Sequence, residues 1–573
     1  IGAHRSPGGV LHRADAVQCL KEKKTLYRVS EGTGISCTGA VRWRGVYVFM
    51  RMKVSDYIAR KLVDEGISDV FMVTGGGAMH LDDGLGHEPG LHCTFNHHEQ
   101  ACAIAAECYA RIHNKIAAVC VTTGPGGTNA ITGVVGGWLD SIPMLILSGQ
   151  VRYDTTARST GLGIRALGDQ EFEITKAIDC MTKYCEMVID PMRIRFCLEK
   201  ALYLAQTGRP GPCWLDIPLN VQGAYVETEE LLGFDKNDYE AGGTGWSVHG
   251  SGCDGCGLCA GKLIQGKPAM IPEDEAGKGE KRELLPPSVS LDLAREIVKK
   301  VREAKRPVIN AGNGIRIGKA FDVFQRVVEM LGIPVVTGWN SLDCMYDSHP
   351  LYVGRAGHMG DRPGNFAVQN CDLLLSLGSR LSIRQVGYNY PTWAREAYVI
   401  YNDIDAEELK KPTVHVDMPV HADVKDLLEK MEMVLEVEAV SADGGPKDKE
   451  AVDWWISRCQ QWKEKYPVVL PKHYEAGEDQ PANIYAAIKE ISRRAEEDQI
   501  TVVGNGSPCV VGGHAYEMKK GQRFISNSAI ASMGYDLPAA IGACLADHTK
   551  DIILVTGDGS IQMNLQELQT IIH

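Results

Sequence analysis

The sequence of 573 residues lacks any apolar run near the roughly 18 residues that a membrane-spanning helix needs. It also lacks an excess of positive charge, since 60 Lys and Arg stand against 73 Asp and Glu, for a net charge of −13. Without such a run or an excess of positive charge, we expect neither a membrane nor nucleic acid to be the main partner. The length indicates about three or four domains, and a hydrophobic content of 44% is enough for a core in each.

Cysteine is plentiful, with 18 residues, but the pattern of a disulfide framework is missing. Cys102 and Cys108 lie in "EQACAIAAECYAR", and Cys120 lies in "IAAVCVTT". In such apolar runs a free thiol serves as a small hydrophobic side chain. The pattern therefore indicates reduced thiols, which favours a cytoplasmic protein.

One group of cysteines has the spacing of metal ligands. The stretch "CDGCGLC" places two residues between Cys253 and Cys256 and two between Cys256 and Cys259, as at the start of an iron–sulfur or zinc site. A fourth ligand is not close by, His249 being the nearest candidate, and the surrounding sequence has no regular pattern. Two interpretations stay open, a metal site and an insertion without metal.

The first residues differ in pattern from the rest of the chain. Residues 1–51 begin with Ile1 and show no sustained hydrophobic period. We interpret them as an unpatterned extension, either upstream sequence or a basic transit peptide. From Met52 the sequence "MKVSDYIARKLVDEG" spaces its apolar residues by four, which predicts an amphipathic helix.

After this helix, short apolar runs alternate with helical patterns, as in "IAAVCVTTGPGGTNAITGVVGGWLDSIPMLILSG". Such β–α–β units predict an α/β protein with doubly wound parallel sheets. Changes in composition divide the chain into three such domains and two connecting segments. The predicted domains are residues 52–222, 290–435 and 481–573, separated by a Gly- and Cys-rich insertion at 223–289 and a polar linker at 436–480.

Glu99 is the first candidate functional residue, in "FNHHEQACAIAAECYAR". The strand-like run "LHCTF" precedes it, and a helix with a face of small residues comes after it. A carboxylate at a helix start is favoured by the helix dipole alone. A buried carboxylate with a raised pKa would instead be a candidate acid–base group. The spacing of the residues around Glu99 does not decide between a helix-start charge and an acid–base group.

Glycine-rich turns come after two of the predicted strands. The stretch "TTGPGGTNAI" places Gly124, Pro125 and Gly126 at a helix start, where backbone N–H groups can approach an anionic ligand. The run "DVFMVTGGG" ends in Gly75 and Gly76. A third stretch, "NAGNGIRIG", has its last glycine one residue late for a dinucleotide loop. A nicotinamide site is therefore not predicted.

The final stretch, "DIILVTGDGSIQMNLQELQTIIH", places Asp558 at the C-terminal end of an apolar run. Ligands bind at this end of the strands in parallel sheets. A single carboxylate beside Gly557 and Gly559 suits a Mg²⁺ ion that also holds phosphate oxygens. A tight turn without a ligand explains the same residues equally well.

Together these motifs resemble a thiamine-diphosphate-dependent enzyme of the acetolactate synthase family, the large catalytic subunit. The resemblance covers about residues 52–573 without the insertion. It implies a pyrimidine-binding first domain, a middle domain and a diphosphate-binding third domain. The segments that carry it, in order, are "HEQACAIAAECYAR", "VTTGPGGTNAITGVVGGWLDSIPMLILSGQV", "GRPGPCWLDIPLNVQ", "NDIDAEELKK", "ASMGYDLPAAIGA" and "VTGDGSIQMNLQEL".

The resemblance implies roles for single residues. Glu99 matches the glutamate that hydrogen-bonds the aminopyrimidine ring of the cofactor, and Gln170 matches a catalytic-site glutamine near it. Met533 matches the bulky residue that holds the cofactor bent, and the backbone at Ala531 would meet its amino group. The other cofactor-binding positions implied are Gly75, Gly76, Gly124, Pro125, Gly126, Gly557, Asp558, Gly559 and Ser560.

Asp558 also matches the first residue of a Mg²⁺–diphosphate motif, in which Asn-Asn comes after Gly-Asp-Gly further along the chain. Here only 14 residues come after Gly559. We therefore expect the second metal ligand to lie beyond His573 and the third domain to be truncated.

The resemblance further implies a homodimer or homotetramer with active sites between subunits. The expected reaction is decarboxylation of a pyruvate-like 2-keto acid, followed by carboligation to an acceptor. The family phenylalanine before Gln170 is replaced by Asp169, which leaves acyl transfer to a keto sugar or another carbonyl acceptor open. A non-catalytic truncated relative is a further alternative. FAD in the middle domain stays open, because "GRAGHMGDRPGN" and "GSRLSIRQ" match only loosely.

Overall fold

The computed structural model describes residues 27–31, 41–43, 46–247, 285–439, 445–475, 477 and 479–573. Within these residues, three parallel sheets each have a hydrophobic core on both faces. The predicted α/β class with three doubly wound sheets is confirmed. The predicted Cys253, Cys256 and Cys259 cluster lies outside the described residues.

The elements of the first part of the chain are closely spaced in sequence. The strands are β1 (Tyr27–Glu31), β2 (Val41–Trp43), β3 (Val46–Lys53), β4 (Asp69–Met72), β5 (His92–Phe95), β6 (Ala117–Val121), β7 (Met144–Gln150), β8 (Tyr184–Met187), β9 (Pro212–Pro218), β10 (Tyr225–Glu227), β11 (Gly233–Phe234) and β12 (Trp246–Ser247). The helices are α1 (Val54–Asp64), α2 (Met79–His87), α3 (Glu99–His113), α4 (Pro125–Asp140), α5 (Ala157–Thr160), α6 (Ile174–Ile178), α7 (Ile194–Gln206), α8 (Leu219–Gln222) and α9 (Lys236–Glu240).

The first parallel sheet has the strand order β5-β4-β6-β7-β9-β8. Alternate residues of its strands enter different cores, so Val70 and Met72 pack on one face and Phe71 on the other. All residues of β6 and β7 are buried. Because both faces are covered, these strands appear in the sequence as continuous apolar runs.

The middle sheet has the order β15-β14-β13-β16-β17-β18, with every neighbouring pair parallel. Its strands are β13 (Pro307–Ala311), β14 (Val335–Thr337), β15 (Tyr352–Arg355), β16 (Leu373–Leu377), β17 (Tyr398–Asp403) and β18 (Met418–His421). The helices of this part are α10 (Leu291–Glu303), α11 (Gly314–Ile317), α12 (Phe321–Leu331), α13 (Arg362–Asn370), α14 (Ile383–Val386), α15 (Val424–Ala439) and α16 (Lys449–Lys465).

The third sheet is smaller, with the parallel order β20-β19-β21. Its strands are β19 (Ile500–Val503), β20 (Arg523–Ile525) and β21 (Ile552–Val555). The helices are α17 (Ile484–Arg494), α18 (Ser507–Ala515), α19 (Asp536–Ala546), α20 (Asp558–Met563) and α21 (Leu568–Ile572). Among all described residues, no helix is both long and apolar enough to cross a membrane.

Two regions without a clear sequence pattern contain strands. Strand β3 pairs antiparallel with β1, β2 and β10, so part of the supposed extension joins part of the supposed insertion. The partners Met52 and Val226 are far apart in sequence, and no local period announces such a pairing. Further along, Trp246 stacks on Phe196 of α7 with ring centroids 3.9 Å apart. This aromatic contact fixes the β11–β12 hairpin to the first domain.

Helices α3 and α19 join the first and third domains. A Cβ on Gly542 would lie 2.0 Å from the carbonyl oxygen of Ala105, so the two helices approach as closely as glycine permits. Beside this contact, the hydroxyl of Tyr535 donates to Glu107 at 2.8 Å, and Glu107 pairs with Arg111. A buried ion pair that keeps its hydrogen bonds favours one arrangement of the domains.

Candidate functional site

The two glycine-rich turns lie side by side, at the C-terminal ends of the paired strands β4 and β6. The backbone N–H of Gly77 donates to the Thr122 hydroxyl at 3.0 Å. A Cβ on Gly75 would lie 2.5 Å from Cβ of Thr122, so no larger residue fits there. A Cβ on Gly76 would meet no atom within 4 Å. The backbone at Gly76 therefore faces open space, where a ligand can approach.

A half-buried carboxylate holds the first of these turns. Asp82 of α2 accepts the backbone N–H of Gly75 at 3.1 Å and the Cys120 thiol at 3.9 Å. Partial burial raises the pKa of Asp82 to about 6, and the hydrogen bond from Gly75 acts in the opposite direction. Sequence reasoning missed Asp82, because a backbone N–H and a thiol from a neighbouring strand leave no local pattern.

The second turn meets the segment that contains Gln170. Gly124 has φ +59° and Gln170 has φ +60°, a region that L-residues other than glycine seldom occupy. A Cβ on Gly124 would lie 2.3 Å from the carbonyl oxygen of Gln170. Pro125 then begins α4, and Gly126 is buried behind Thr122. The structure thus joins two candidate positions that are distant in the sequence.

Glu171 shapes the segment around Gln170. Its carboxylate accepts three backbone N–H groups, at 2.6 Å, 2.6 Å and 3.1 Å. The donors are Ala157, Leu167 and Gly168. The side chains of Gln170 and Asp169 are exposed and remain free to face a ligand.

Glu99 begins helix α3 and lies close to the second turn. The side chain of His98 caps the helix by accepting the Gln100 N–H at 3.1 Å. The Glu99 carboxylate accepts from Nδ2 of Asn129 on α4 at 3.0 Å. Its side chain is half-buried. The first domain therefore gathers Glu99, the glycine turns and Gln170 into one group.

A second group lies in the third domain. Ala531 has φ +56°, and Nδ2 of Asn505 donates to the carbonyl oxygen of the next residue, Ser532, at 2.5 Å. The methyl group of Met533 would lie 3.0 Å from a Cβ on Gly559, and its side chain is 46% exposed. The Ser560 hydroxyl accepts the N–H of Gly534 at 2.9 Å. The segment 531–534 is thus fixed against the start of α20.

Asp558 is the first residue of α20 and comes after β21 and Gly557. Its side chain is exposed, at the end of the strand where ligands of parallel sheets bind. Within the described part of the chain, no group of three or more His, Cys, Asp or Glu side chains could hold a metal ion. An exposed carboxylate at this end of the sheet suits a metal that takes few protein ligands.

Glu567 connects the two domains beside these groups. It is fully buried and accepts Nδ2 of Asn96 and the backbone N–H of His97, each at 2.9 Å. Nearby, Nδ2 of Asn564 donates to Gln100 at 3.1 Å. The segment after Asp558 thus holds the turn before Glu99. Sequence reasoning missed Glu567, because nothing in a helical pattern distinguishes a buried glutamate from an exposed one.

A cavity of about 370 Å³ lies where all three domains meet. Nδ2 of Asn340 donates to Asp140 of the first domain at 3.1 Å, and Ser528 of the third domain donates to Asn340. The wall also includes Arg384 and Asn402 of the middle domain. Oδ1 of Asn402 is buried and has no hydrogen-bond partner among the described residues. A polar ligand could satisfy this oxygen.

Three family models match the chain, and they agree with the division of the fold. Residues 52–171 match the N-terminal TPP binding domain of thiamine pyrophosphate enzymes, and residues 294–431 match their central domain. Residues 504–573 match their C-terminal TPP binding domain. The class defined by these domains is that of the thiamine pyrophosphate enzymes, and the two candidate groups lie in the two TPP-binding domains.

Similar proteins narrow this class. The chain is 30% identical over 527 residues to a probable acetolactate synthase large subunit of Methanococcus aeolicus, covering 91% of this chain and 78% of that protein. It is 30% identical over 520 residues to the acetolactate synthase large subunit of Lactococcus lactis, covering 90% and 77%. The identity to acetolactate synthase isozyme 3 large subunit of Escherichia coli is 29%, covering 90% and 79%. The chain belongs to the acetolactate synthase large-subunit family of thiamine pyrophosphate enzymes.

Proposed function

We propose that the chain binds thiamine diphosphate with Mg²⁺, decarboxylates a pyruvate-like 2-keto acid and joins the remaining fragment to a carbonyl acceptor. One observation carries this proposal. The first-domain and third-domain groups both lie at the C-terminal ends of parallel strands, in the two domains that match TPP-binding families.

The residues present fit the cofactor. At Gly76 the space that a Cβ would enter is open, so a ligand can approach the backbone closely there. Oδ1 of Asn527, four residues before Ala531, is buried without a partner among the described residues. Such an oxygen is an acceptor for a ligand donor in the same segment. We assign Ala531 and Met533 to the pyrimidine and thiazolium end of the site.

When bound, thiamine diphosphate supplies the carbon nucleophile and the electron sink for decarboxylation. In our proposal the Glu99 carboxylate holds a proton at the aminopyrimidine ring, and Asn129 orients this carboxylate. Gln170 faces the substrate side, because its backbone contacts the Gly124 turn and its side chain is exposed. Gly557, Asp558, Gly559 and Ser560 form the diphosphate end, where the Asp558 carboxylate would bind Mg²⁺.

We further propose that a second copy of the chain completes each site. Met79 and Phe95 border the first-domain group and are 51% and 53% exposed. In the third domain, Met533 and Met563 are 46% and 53% exposed. Apolar side chains gathered around both groups are typical of a surface that another protein surface covers. In a homodimer or homotetramer, the Glu99 group of one copy would face the Asp558 group of its partner.

The cavity between the three domains is our candidate site for FAD. Its wall offers Oδ1 of Asn402, which accepts no hydrogen bond from the described residues, and the guanidinium of Arg384. Guanidinium groups suit phosphate oxygens. The backbones at Gly312 and Gly378 approach so closely that a Cβ on Gly312 would lie 2.2 Å from the Gly378 oxygen. FAD bound there would support the domain arrangement and take no part in the chemistry.

Product analysis tests the reaction. The protein is incubated with thiamine diphosphate, Mg²⁺ and pyruvate, first alone and then with an added keto sugar or aldehyde. We expect carbon dioxide release and acetolactate from pyruvate alone. The exposed Asp169 beside Gln170 favours a second candidate function, acyl transfer to a polar acceptor, which predicts a ligation product only when that acceptor is added. Absence of carbon dioxide release from any 2-keto acid, with the cofactor bound, would contradict both.

A further inference from the structure

Gln150, the last residue of β7, is 1% exposed and uses its whole side-chain amide in hydrogen bonds. Its Oε1 accepts from the Thr123 hydroxyl at 2.7 Å and from the Val151 N–H at 3.0 Å. Its Nε2 donates to the Phe172 carbonyl oxygen at 2.9 Å and to Oδ2 of Asp216 at 3.0 Å. Only this orientation of the amide satisfies all four partners.

Two of these partners belong to the proposed cofactor site. Thr123 directly precedes Gly124, and Phe172 lies two residues after Gln170. The two segments also touch each other, since a Cβ on Gly124 would lie 2.3 Å from the Gln170 carbonyl oxygen. The buried Gln150 amide therefore bridges the two segments, whereas the Gln170 side chain is exposed.

The other end of the bridge is anchored in the sheet. Asp216 lies in β9, is fully buried, and accepts the Ser148 hydroxyl at 2.6 Å. Nε1 of Trp214 donates to the same hydroxyl at 2.8 Å. Ser148 and Asp216 are register partners in the parallel pair of β7 and β9. Gln150 is thus held by two paired central strands, which are the least mobile part of such a fold.

We propose that Gln150 is a positioning residue, which holds the Gly124 turn and the Gln170 segment against each other so that both face the cofactor together. Asp216 fixes the orientation of the Gln150 amide. The inference rests on the proposed function, because the geometry it preserves matters only if the two segments meet a common ligand. A residue that acts in this way affects ligand affinity through the loops, without touching the ligand.

The test compares variants within the same buried network. Gln150→Leu removes both links to the loops, and Thr123→Val removes one of them with little change in volume. Ser148→Ala is the matched control. It removes the hydrogen bond that Ser148 donates to Asp216 and the one that it accepts from Trp214, but it leaves both loop links intact. For each protein we would measure the thiamine diphosphate dissociation constant by titration calorimetry with Mg²⁺ present, the melting temperature, and kcat and KM for pyruvate.

We expect Thr123→Val, which loses one loop link, to weaken cofactor binding about threefold. Gln150→Leu, which loses both loop links, should weaken it at least tenfold. Ser148→Ala should lower the melting temperature yet change the dissociation constant less than twofold. With saturating cofactor, kcat of the control Ser148→Ala should stay close to wild type. Equal weakening by Ser148→Ala and Thr123→Val, or wild-type affinity in both loop-link variants, would overturn the inference. A wild-type protein that binds no thiamine diphosphate would overturn the proposed function itself.

Discussion

The two groups of candidate residues are built differently. In the first domain, the Gly75 and Gly124 turns are held by side chains such as the half-buried Asp82 and the buried Gln150. In the third domain, Asp558 is exposed, and Met533 is 46% exposed. The first group is therefore preorganised by the fold, whereas the second depends on partners that a ligand or another copy would supply. Substitutions of the supporting residues Asp82 and Gln150 should accordingly act through geometry, whereas substitutions of Glu99 and Asp558 should act through direct contact with the ligand.

The largest effect on activity is expected at Glu99, where a substitution should lower kcat without lowering stability. Glu99→Gln keeps the shape of the side chain and the hydrogen bond from Asn129 but removes the acid–base group. We expect kcat to fall on the order of 100-fold or more, with the melting temperature unchanged. Steady-state kinetics with pyruvate measures this, and Glu497→Gln, at an exposed position of the third domain, is the control. A fall of less than about threefold would remove Glu99 from the proposed chemistry.

At Asp558 we expect the loss of metal-dependent cofactor binding without loss of stability. Asp558→Asn should weaken thiamine diphosphate binding roughly tenfold or more when Mg²⁺ is present. Because the side chain is exposed, the free energy of unfolding should change by less than about 0.5 kcal/mol. Titration with and without Mg²⁺ measures the first quantity and urea denaturation the second. The opposite pattern, intact binding with lower stability, would show that Asp558 serves the turn alone.

The buried network of the first domain should make stability depend on pH. Burial raises the pKa of Asp216 from its ordinary value of 3.8 to about 7. The folded state therefore favours the protonated acid, and this stabilisation is present below about pH 4 and lost as the pH rises through about 7. In the wild-type protein, the free energy of unfolding should therefore fall by about 2 kcal/mol between about pH 5 and pH 7. Asp216→Asn should remove most of this fall, because the amide does not titrate. Urea denaturation at each pH measures it, and identical slopes for both proteins would contradict the prediction.

A smaller effect compares two glycines of positive φ. Gly124 and Gly161 have φ +59° and +65° but differ in ψ, at −111° and 9°, and only at Gly124 would a Cβ meet other atoms. Gly161→Ala should cost about 1 kcal/mol of stability through backbone strain alone. Gly124→Ala should cost about 1 kcal/mol more and should weaken cofactor binding as well. Equal effects of the two substitutions on cofactor binding would separate the Gly124 turn from the site.

The sequence allowed prediction of those parts of the fold that depend on local pattern. Continuous apolar runs predicted central strands such as β6 and β7, and the Gly–Pro–Gly stretch predicted the turn at the start of α4. Asp558 was predicted at a strand end because the apolar run before it is short and ends in glycine. In each case the residues that determine the structure are neighbours in the chain.

Long-range pairings could not be predicted in this way. Nothing in the run "MLILSGQV" shows that Gln150 contacts Asp216, and residues 46–53 carry no mark of their pairing with β10. The cavity between the domains depends on contacts such as that of Asn340 with Asp140. These features arise when distant segments meet, so a periodicity argument contains no information about them. The resemblance to a family predicted a set of site residues but not the side chains that contact them from the core.

The most direct test of the central claim is complementation between two inactive variants. Glu99→Gln and Asp558→Asn chains are co-expressed with different affinity tags, and thiamine-diphosphate-dependent carbon dioxide release from pyruvate is measured on the unseparated mixture. If two copies share each site, a mixed dimer contains one site with both Glu99 and Asp558 intact. Activity should then return to roughly a quarter of the wild-type value, because about half of the dimers are mixed and each has one working site. Activity of the mixture no higher than that of either variant alone, when capture through both tags shows that mixed dimers are present, would contradict the claim that the two groups form one site across copies.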